Sequence, residues 1–271
     1  MPSRVRIGLD LDHPEQVKTQ DLHYHMCRWL ECDAESHRSP QKPFALSPLS
    51  RDEQHNYSFE AGLLDDGLLI RLWRSAAADF GRSLKFGPSS GTVSMNGFDL
   101  LGTDSYAELV ASAEPVMRWT MHALSPTLWR DRNEDLPFPK AGSLIVGLNR
   151  RWGVWSPVPL DSADRSVSTN GKARVARLSI SDFAIESASL MRDRRDRRGF
   201  IGQVDLVTDE ADTQARARVD ALMRFAEYAG VGSMTPYGFG VIAVTRETYD
   251  PTGSNALCLR SSEPADHYQR T

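Results

Sequence analysis

The sequence has no long apolar run and little cysteine, and each shortage excludes a class of protein. No stretch of about 18 apolar residues is present, so the sequence predicts no membrane-spanning helix. The opening residues MPSRVRIGLDLD alternate like a strand and lack the continuous apolar core of a secretory signal. Cys27, Cys32 and Cys258 have no repeating spacing. They therefore do not predict a disulfide framework, and they favour a reducing compartment, the cytoplasm.

An excess of positive charge is also missing. The 271 residues include 32 Lys and Arg against 36 Asp and Glu. A protein that binds RNA through many phosphates is usually basic overall, so any RNA-binding surface here must be local. The strongest local concentration is MRDRRDRRG at 191–199, which contains Arg192, Arg194, Arg195, Arg197 and Arg198. A mixed-charge turn is often merely solvated, so solvation and RNA contact both stay open. Arg150 and Arg151 are lesser candidates for RNA contact.

Hydrophobic periodicity predicts a first unit of β-α-β-β-α-β order. Residues 4–11 alternate as a strand, and residues 19–31 place their apolar side chains on one helical stripe. A polar loop with two prolines follows at 36–43. The rest of the unit consists of short apolar pieces at 44–49 and 68–74, a strand-like stretch at 92–102 and a short helix at 106–113.

A second unit of the same order follows. Its predicted elements are a strand at 116–124, a helix at 141–155, strands at 173–190 and 200–207 joined by the arginine-rich turn, a helix at 213–229 and a strand at 241–244. Two such units predict an α+β fold of two tandem ferredoxin-like (RRM-like) domains, each an antiparallel sheet with helices on one face. The predicted domains are 1–113 and 114–248, followed by a flexible tail at 249–271.

The segment AGVGSMTPYGFGVIAV at 229–244 is rich in glycine. Gly230, Gly232, Gly238 and Gly240 lie between a predicted helix and a predicted strand. Such glycines permit positive φ and close approach to a ligand, and the backbone N–H groups of such a loop can hold phosphates. The order is the reverse of the dinucleotide-binding pattern, in which the strand comes first. A helix cap and a tight turn are the alternative explanation, and they would need only one of the four glycines.

Two longer runs carry a family resemblance. GFIGQVDLVTD followed by LMRFAEYAGVGSMTPYGFGVIAV resembles the C-terminal signature of the CRISPR-associated pre-crRNA endoribonucleases of the RAMP superfamily. LSPTLWRDRNEDLPFPKAGSLIVGLNRRW resembles the mid-chain segment of that family. The resemblance covers most of 115–246 and, more weakly, the first 50 residues. It implies two tandem ferredoxin-like domains and a glycine-rich segment, here including Ser233, that contacts the RNA backbone near the cleavage site.

The chemistry that the family implies needs no metal or cofactor. The RNA 2′-hydroxyl attacks the adjacent phosphodiester, leaving a 2′,3′-cyclic phosphate and a 5′-hydroxyl. A histidine titrates in the range needed to move the protons, and a cation stabilises the charged transition state. The family places this histidine in the loop after the first helix, before a basic residue. The matching run AESHRSPQKPFALSPL selects His37 as general acid or base and Lys42 as the cation. Arg38, adjacent to His37, is a lesser candidate for RNA contact.

The first helix adds two candidates for the catalytic site. Tyr24 could orient the 2′-hydroxyl, and His23 either takes part directly or is a helix-surface residue. The family often has a tyrosine about one turn later, where this chain has Cys27.

Two alternatives stay open from the sequence. His23, His25, Cys27, Cys32 and His37 fall within 15 residues and could bind zinc, although their spacing matches no zinc motif. The other alternative is a non-catalytic RAMP-type subunit that holds RNA in a CRISPR interference complex. The expected partners are repeat RNA of precursor crRNA, other CRISPR-associated proteins and a second copy of the chain, but no membrane.

Overall fold

The computed structural model describes residues 1–30, 41–131, 134–160, 175–192 and 195–247. The predicted site residues His37, Arg38 and Arg194 lie outside these ranges, as do Cys32 and the predicted tail at 249–271. Among the helices in these ranges, none has the length and hydropathy needed to cross a bilayer.

The first domain has a ferredoxin-like sheet. Its elements are β1 (Ser3–Leu11), α1 (Thr19–Leu30), β2 (Phe44–Leu46), β3 (Ser50–Arg51), β4 (Tyr57–Leu63), α2 (Leu68–Ala77), β5 (Leu84–Phe86) and β6 (Ser89–Thr103). The strands pair antiparallel in the order β2-β4-β1-β6-β5, with β3 beside β4. Without the short β3 and β5, this is the strand order of a ferredoxin-like unit.

Two elements of this domain differ from the sequence prediction. The apolar piece at 68–74 belongs to helix α2, which buries Leu68, Leu72 and Ala76 at intervals of four residues. Strand β4, which the sequence prediction omitted, alternates with Phe59, Ala61 and Leu63 buried. The exposed Ile70 and Trp73 are apolar as well, so the sequence reads as an almost continuous apolar run and the helical period of α2 is hidden.

The second domain repeats the topology. Helix α3 (Tyr106–Ala111) precedes it within the predicted first domain. The second domain contains β7 (Arg118–Thr127), β8 (Trp129–Asp131), β9 (Glu134–Leu136), α4 (Ala141–Trp155), β10 (Ser179–Arg192), β11 (Arg195–Val207), α5 (Thr213–Ala229) and β12 (Ile242–Arg246). Its main sheet has the order β10-β11-β7-β12, and β8 pairs with β9. The predicted α+β fold of two tandem ferredoxin-like domains is confirmed.

Helix α5 packs between the two domains. The Asp212 carboxylate caps its first turn by accepting hydrogen bonds from the N–H groups of Gln214 at 2.9 Å and Ala215 at 3.2 Å. At its other end, the Tyr228 hydroxyl donates to Asp104 at 2.7 Å. The Tyr228 carbonyl lies directly over Gly62 of β4, where a Cβ would overlap the oxygen. Strand β4 and helix α5 can therefore pack this closely only because residue 62 has no side chain.

The apolar core of the second domain also includes residues from the first half of the chain. Leu64, Tyr106 and Leu109 are buried with the side chains of α4 and α5. The Tyr106 hydroxyl donates to the Leu64 carbonyl at 2.6 Å. The two domains are thus joined by a shared apolar layer, and the boundary at residue 113 stays a prediction.

Substitution of Gly62 tests this domain contact. We expect Gly62→Ala to lower the free energy of unfolding by at least about 2 kcal/mol, because the new methyl group must displace the Tyr228 backbone. Urea denaturation followed by circular dichroism measures the change. Gly67→Ala is the matched control, because φ is −77° there and a Cβ meets nothing within 4 Å. Equal stability of the two variants would contradict the prediction.

Candidate functional site

Helix α1 meets the glycine-rich segment at His23. The His23 Nδ1 lies 2.9 Å from the carbonyl oxygen of Pro236, and the His23 ring stacks on Tyr237 with 4.0 Å between centroids. Because a carbonyl only accepts, Nδ1 carries the hydrogen. In the neutral ring, Nε2 is then the acceptor, and it faces the Cys27 Sγ at 3.4 Å. Both nitrogens of His23 therefore have partners within the protein.

The arginine-rich hairpin also contacts the glycine-rich segment. The Arg192 guanidinium lies 3.7 Å from the centroid of the Tyr237 ring, close enough for a cation–π contact. A Cβ at Gly238 would lie 2.7 Å from Thr19 Cγ2 and 3.2 Å from Leu190 Cδ2. The glycine-rich segment thus touches the start of α1 on one side and the end of β10 on the other. We call the place where α1, the glycine-rich segment and the arginine-rich hairpin meet the seam. The group His23, Tyr237 and Arg192 is the seam stack.

Lys42 lies two residues before β2, on the first-domain side of this seam. Its side chain is only 8% exposed. Strand β2 contacts the 3-10 turn Thr235–Tyr237, and the rings of Phe44 and His23 have centroids 5.7 Å apart. The structure therefore brings the part of the chain that carries Lys42 next to the seam stack.

Tyr24 follows His23 on α1 and is largely exposed. It is 60% exposed, and its ring makes an edge contact with His25 at 5.3 Å between centroids. Its role in orienting the 2′-hydroxyl stays a prediction, because His37 lies outside the described residues. The exposed phenol is free to meet a ligand that lies over α1.

Each glycine of the segment at 230–240 has its own structural reason. Their φ angles are +67° at Gly230, +74° at Gly232, +86° at Gly238 and +69° at Gly240. Gly230 ends α5 and donates to the Ala226 carbonyl at 2.7 Å. A Cβ at Gly232 would overlap the Leu128 carbonyl oxygen, and one at Gly240 would overlap that of Val231. The expectation that packing needs only one of the four glycines is wrong.

The N–H groups of this segment are mostly used internally. Ser233 donates to the Leu128 carbonyl at 2.8 Å, and Val231 donates to that of Gly240 at 2.8 Å. Gly232 is exposed between them. The loop therefore presents a preformed backbone surface, and its contact with RNA stays a prediction.

The described arginines of the hairpin differ in their surroundings. Arg195 and Arg198 are exposed, whereas Arg197 is partly buried and pairs with Asp135 at 2.9 Å. Arg197 therefore ties the hairpin to β9, and Arg195 and Arg198 are better placed to meet a ligand. The sequence alone did not separate these roles.

Arg151 anchors the start of the glycine-rich segment. Its guanidinium donates to the carbonyls of Ala229 and, at 3.4 Å, Gly230. Burial, with a contribution from the nearby Arg150, lowers the pKa of Arg151 to about 10, so the side chain is still a cation at neutral pH. A buried cation at the C-terminal end of α5 faces the negative end of the helix dipole.

The zinc alternative finds little geometric support. His23 and Cys27 lie together, but His25 turns elsewhere, with its Nε2 2.8 Å from the Lys85 carbonyl. Within the described ranges, no three His, Cys, Asp or Glu side chains form a group suited to a metal ion. Cys32 and His37 lie outside those ranges.

Two tandem ferredoxin-like domains with a glycine-rich segment are the architecture that the resemblance in the sequence implied, and the arginine hairpin lies where they meet. Residues 121–242 match the family model described as CRISPR-associated endoribonuclease Cas6. The matched residues lie within the stretch at 115–246 that carries the resemblance in the sequence. No curated protein sequence matches this chain.

Solved structures of Cas6 proteins share the fold. A product complex of a Thermus thermophilus Cas6 superposes with a TM-score of 0.74 at 22% identity, covering 90% of this chain and 100% of that one. Another Cas6 product complex gives 0.70 at 23% identity, covering 91% and 99%. A RAMP protein described as binding different RNA substrates gives 0.58 at 14% identity, covering 89% and 99%. At these identities the likeness establishes the fold alone.

A substitution at Gly240 tests the backbone constraint. We expect Gly240→Ala to destabilise the protein by at least about 2 kcal/mol, because it combines a positive φ with overlap at the Val231 carbonyl. Gly153→Ala, on α4 with no neighbour within 4 Å of its Cβ, should instead stabilise by about 0.5–1 kcal/mol. Thermal and urea denaturation measure both. If Gly240→Ala lowered the free energy of unfolding by no more than about 0.5 kcal/mol, the result would contradict this backbone constraint.

Stability should fall in mild acid because of His25. Burial lowers the pKa of His25, opposed by its hydrogen bond to Lys85 and assisted by the charge of Arg28. The unfolded chain then binds a proton more readily than the folded one. We expect the free energy of unfolding to decrease as pH falls through about 6.5, the pKa of an unperturbed histidine, and to level off below the folded pKa. Urea denaturation at several pH values should show a smaller decrease in His25→Gln, and equal decreases would contradict this assignment.

Proposed function

We propose that the protein is an endoribonuclease that cleaves CRISPR repeat RNA within precursor crRNA. The observation that carries the proposal is the seam stack, where α1, the glycine-rich segment and the arginine hairpin meet. In the sequence, His37 lies between the end of α1 and Lys42. A substrate phosphodiester at this seam would therefore meet groups from both domains.

In the proposed mechanism, His37 moves the proton of the attacking 2′-hydroxyl or of the leaving 5′-oxygen. Lys42 holds the negative charge of the transition state, and Tyr24 orients the 2′-hydroxyl. The products are a 2′,3′-cyclic phosphate and a 5′-hydroxyl. Because the nucleophile belongs to the RNA, the reaction as proposed requires no metal ion.

His23 has a positioning role in this proposal. Its Nδ1–H is held by the Pro236 carbonyl and its ring by Tyr237, so it fixes the glycine-rich segment against α1. A proton carrier must reach its substrate through a free nitrogen, and both nitrogens of His23 face protein groups. The proposal therefore assigns the proton transfer to His37.

The internal bonding of His23 also favours a second candidate function. If His37 is remote from the seam, the surface keeps its arginines and backbone but has no proton carrier from α1. The protein would then be a non-catalytic RAMP-type subunit that holds RNA. Other CRISPR-associated proteins or a second copy of the chain as partners, and the cytoplasm as location, are further parts of the proposal.

Cleavage of repeat RNA in EDTA tests the enzyme against the subunit. We expect the purified protein to cut repeat RNA of its own genome without divalent metal. His37→Ala should slow single-turnover cleavage by about 10²–10⁴-fold, because a general acid or base is lost. His13→Ala, an exposed histidine beside Glu15, is the matched control and should cut normally.

The product ends distinguish the proposed chemistry. A 2′-deoxy nucleotide at the scissile position should abolish cleavage while leaving binding intact. RNA that binds but is never cut would favour the subunit. Cleavage that needs added metal, or that is unchanged in His37→Ala, would overturn the mechanism.

A further inference from the structure

A cleft of about 600 Å³ opens beside the first residues of the glycine-rich segment. One wall is formed by α4 between Gly142 and Arg151, and the other is formed by residues 230–233. The same short segment thus borders two places: its first residues line this cleft, and Pro236 and Tyr237 contact α1.

The cleft is cationic although the chain as a whole is acidic. Arg130, Lys140, Arg150 and Arg151 line it, and its described lining contains no carboxylate. Arg151 is committed to the carbonyls at the end of α5, and Arg130 pairs at 3.6 Å with Asp135 outside the lining. Lys140 and Arg150 are both exposed. Lys140 and Arg150 are therefore free to face an anion in the cleft. The charge of Arg130 is only partly compensated by Asp135.

Backbone groups reinforce this charge. Lys140 precedes α4 and gives it no side-chain cap, and Gly142 and Ser143 of the first turn line the cleft. Their N–H groups lie at the positive end of a 15-residue helix. On the opposite wall, Gly232 is exposed.

An exposed aromatic pair includes Phe138, which lies in the sequence between Leu136 and Lys140 of the cleft lining. Phe138, two residues before Lys140, is 51% exposed and packs edge-on against Phe183 of β10, which is 49% exposed, with 5.3 Å between centroids. Exposed phenylalanines cost free energy in water unless a ligand covers them. Aromatic rings beside a cationic groove are the arrangement that binds single-stranded nucleic acid, with bases stacked and phosphates paired.

We propose that this cleft is a second RNA subsite that binds an unpaired segment of the RNA. Lys140 and Arg150 pair with its phosphates, and Phe138 with Phe183 stacks on one of its bases. The segment passes along the glycine-rich segment between the cleft and the seam stack. This inference rests on the proposed function only in taking RNA as the ligand.

Equilibrium binding as a function of salt tests the subsite. The probes are an unpaired 15-nucleotide oligouridine and a repeat RNA with a 2′-deoxy group at the scissile position, which cannot be cut. We expect Lys140→Ala with Arg150→Ala to weaken binding of both probes at least tenfold. The slope of log K against log salt should fall by about 0.7 for each lost phosphate contact, or roughly 1.4 for two. Arg74→Ala with Arg82→Ala, both exposed in the first domain, is the charge-matched control.

The aromatic pair is tested separately, because its effect should not depend on salt. Phe138→Ala should weaken binding by about tenfold at every salt concentration, as expected for one lost base stack. Circular dichroism confirms folding of each variant, and all the changed side chains are exposed.

The results separate this inference from the proposed function. Wild-type protein that binds and cuts repeat RNA, with the cleft variants matching the control, would overturn the subsite alone. Weaker binding of the repeat RNA only, with oligouridine binding unaffected, would overturn the assignment to unpaired RNA. Failure of the wild-type protein to bind either probe would overturn both proposals. Weaker binding of both probes by the cleft variants, with the control pair binding as the wild type does, is the expected result.

Discussion

Helix α5 and the segment that follows it approach the first domain closely through their backbones. The rest of the structure depends on this constraint. The Tyr228 carbonyl occupies the space left by the missing side chain of Gly62, and Gly238 lies against Thr19 of α1. Neither contact tolerates a Cβ without movement. The proposed active site therefore has its geometry fixed by backbone packing, and the side chains of the seam stack are placed on an already rigid frame.

This frame explains how an acidic chain can offer cationic surfaces. Burying a guanidinium is costly, and Arg151 offsets that cost by donating to carbonyls at the end of α5, where the helix dipole is negative. Arg192 lies over the ring of Tyr237, and Arg197 pairs with Asp135. Each of these arginines is held by a neighbour that suits a cation. The positive charge is thus concentrated at both sides of one glycine-rich segment, while the excess of carboxylates lies elsewhere in the sequence.

The sequence predicted the fold better than the site. Helices with a clear apolar stripe, α4 and α5, begin and end where the periodicity placed them, because burial on one face determines both the stripe and the helix. Helix α2 was missed because its exposed Ile70 and Trp73 imitate a continuous apolar run. The partner of His23 is Pro236, 213 positions away, and no local pattern reports a contact of that range. The cationic cleft was largely missed for the same reason, since Arg130, Lys140 and Arg150 come together only after β8 and α4 have packed.

The glycine-rich segment borders both the seam stack and the cleft, and this can determine which position in the RNA is cut. Phosphodiesters are present at every position of an RNA. Binding one of them at the seam therefore cannot by itself select one position in a repeat. Selection needs contacts made at a fixed distance from the scissile bond. A segment that borders both places supplies a fixed distance, because its N–H groups donate to the carbonyls of Leu128 and Pro126 and to carbonyls within the segment, along a path that four glycines permit. Binding energy gained in the cleft would then be used to position the phosphodiester at the seam, the arrangement by which remote contacts raise a reaction rate.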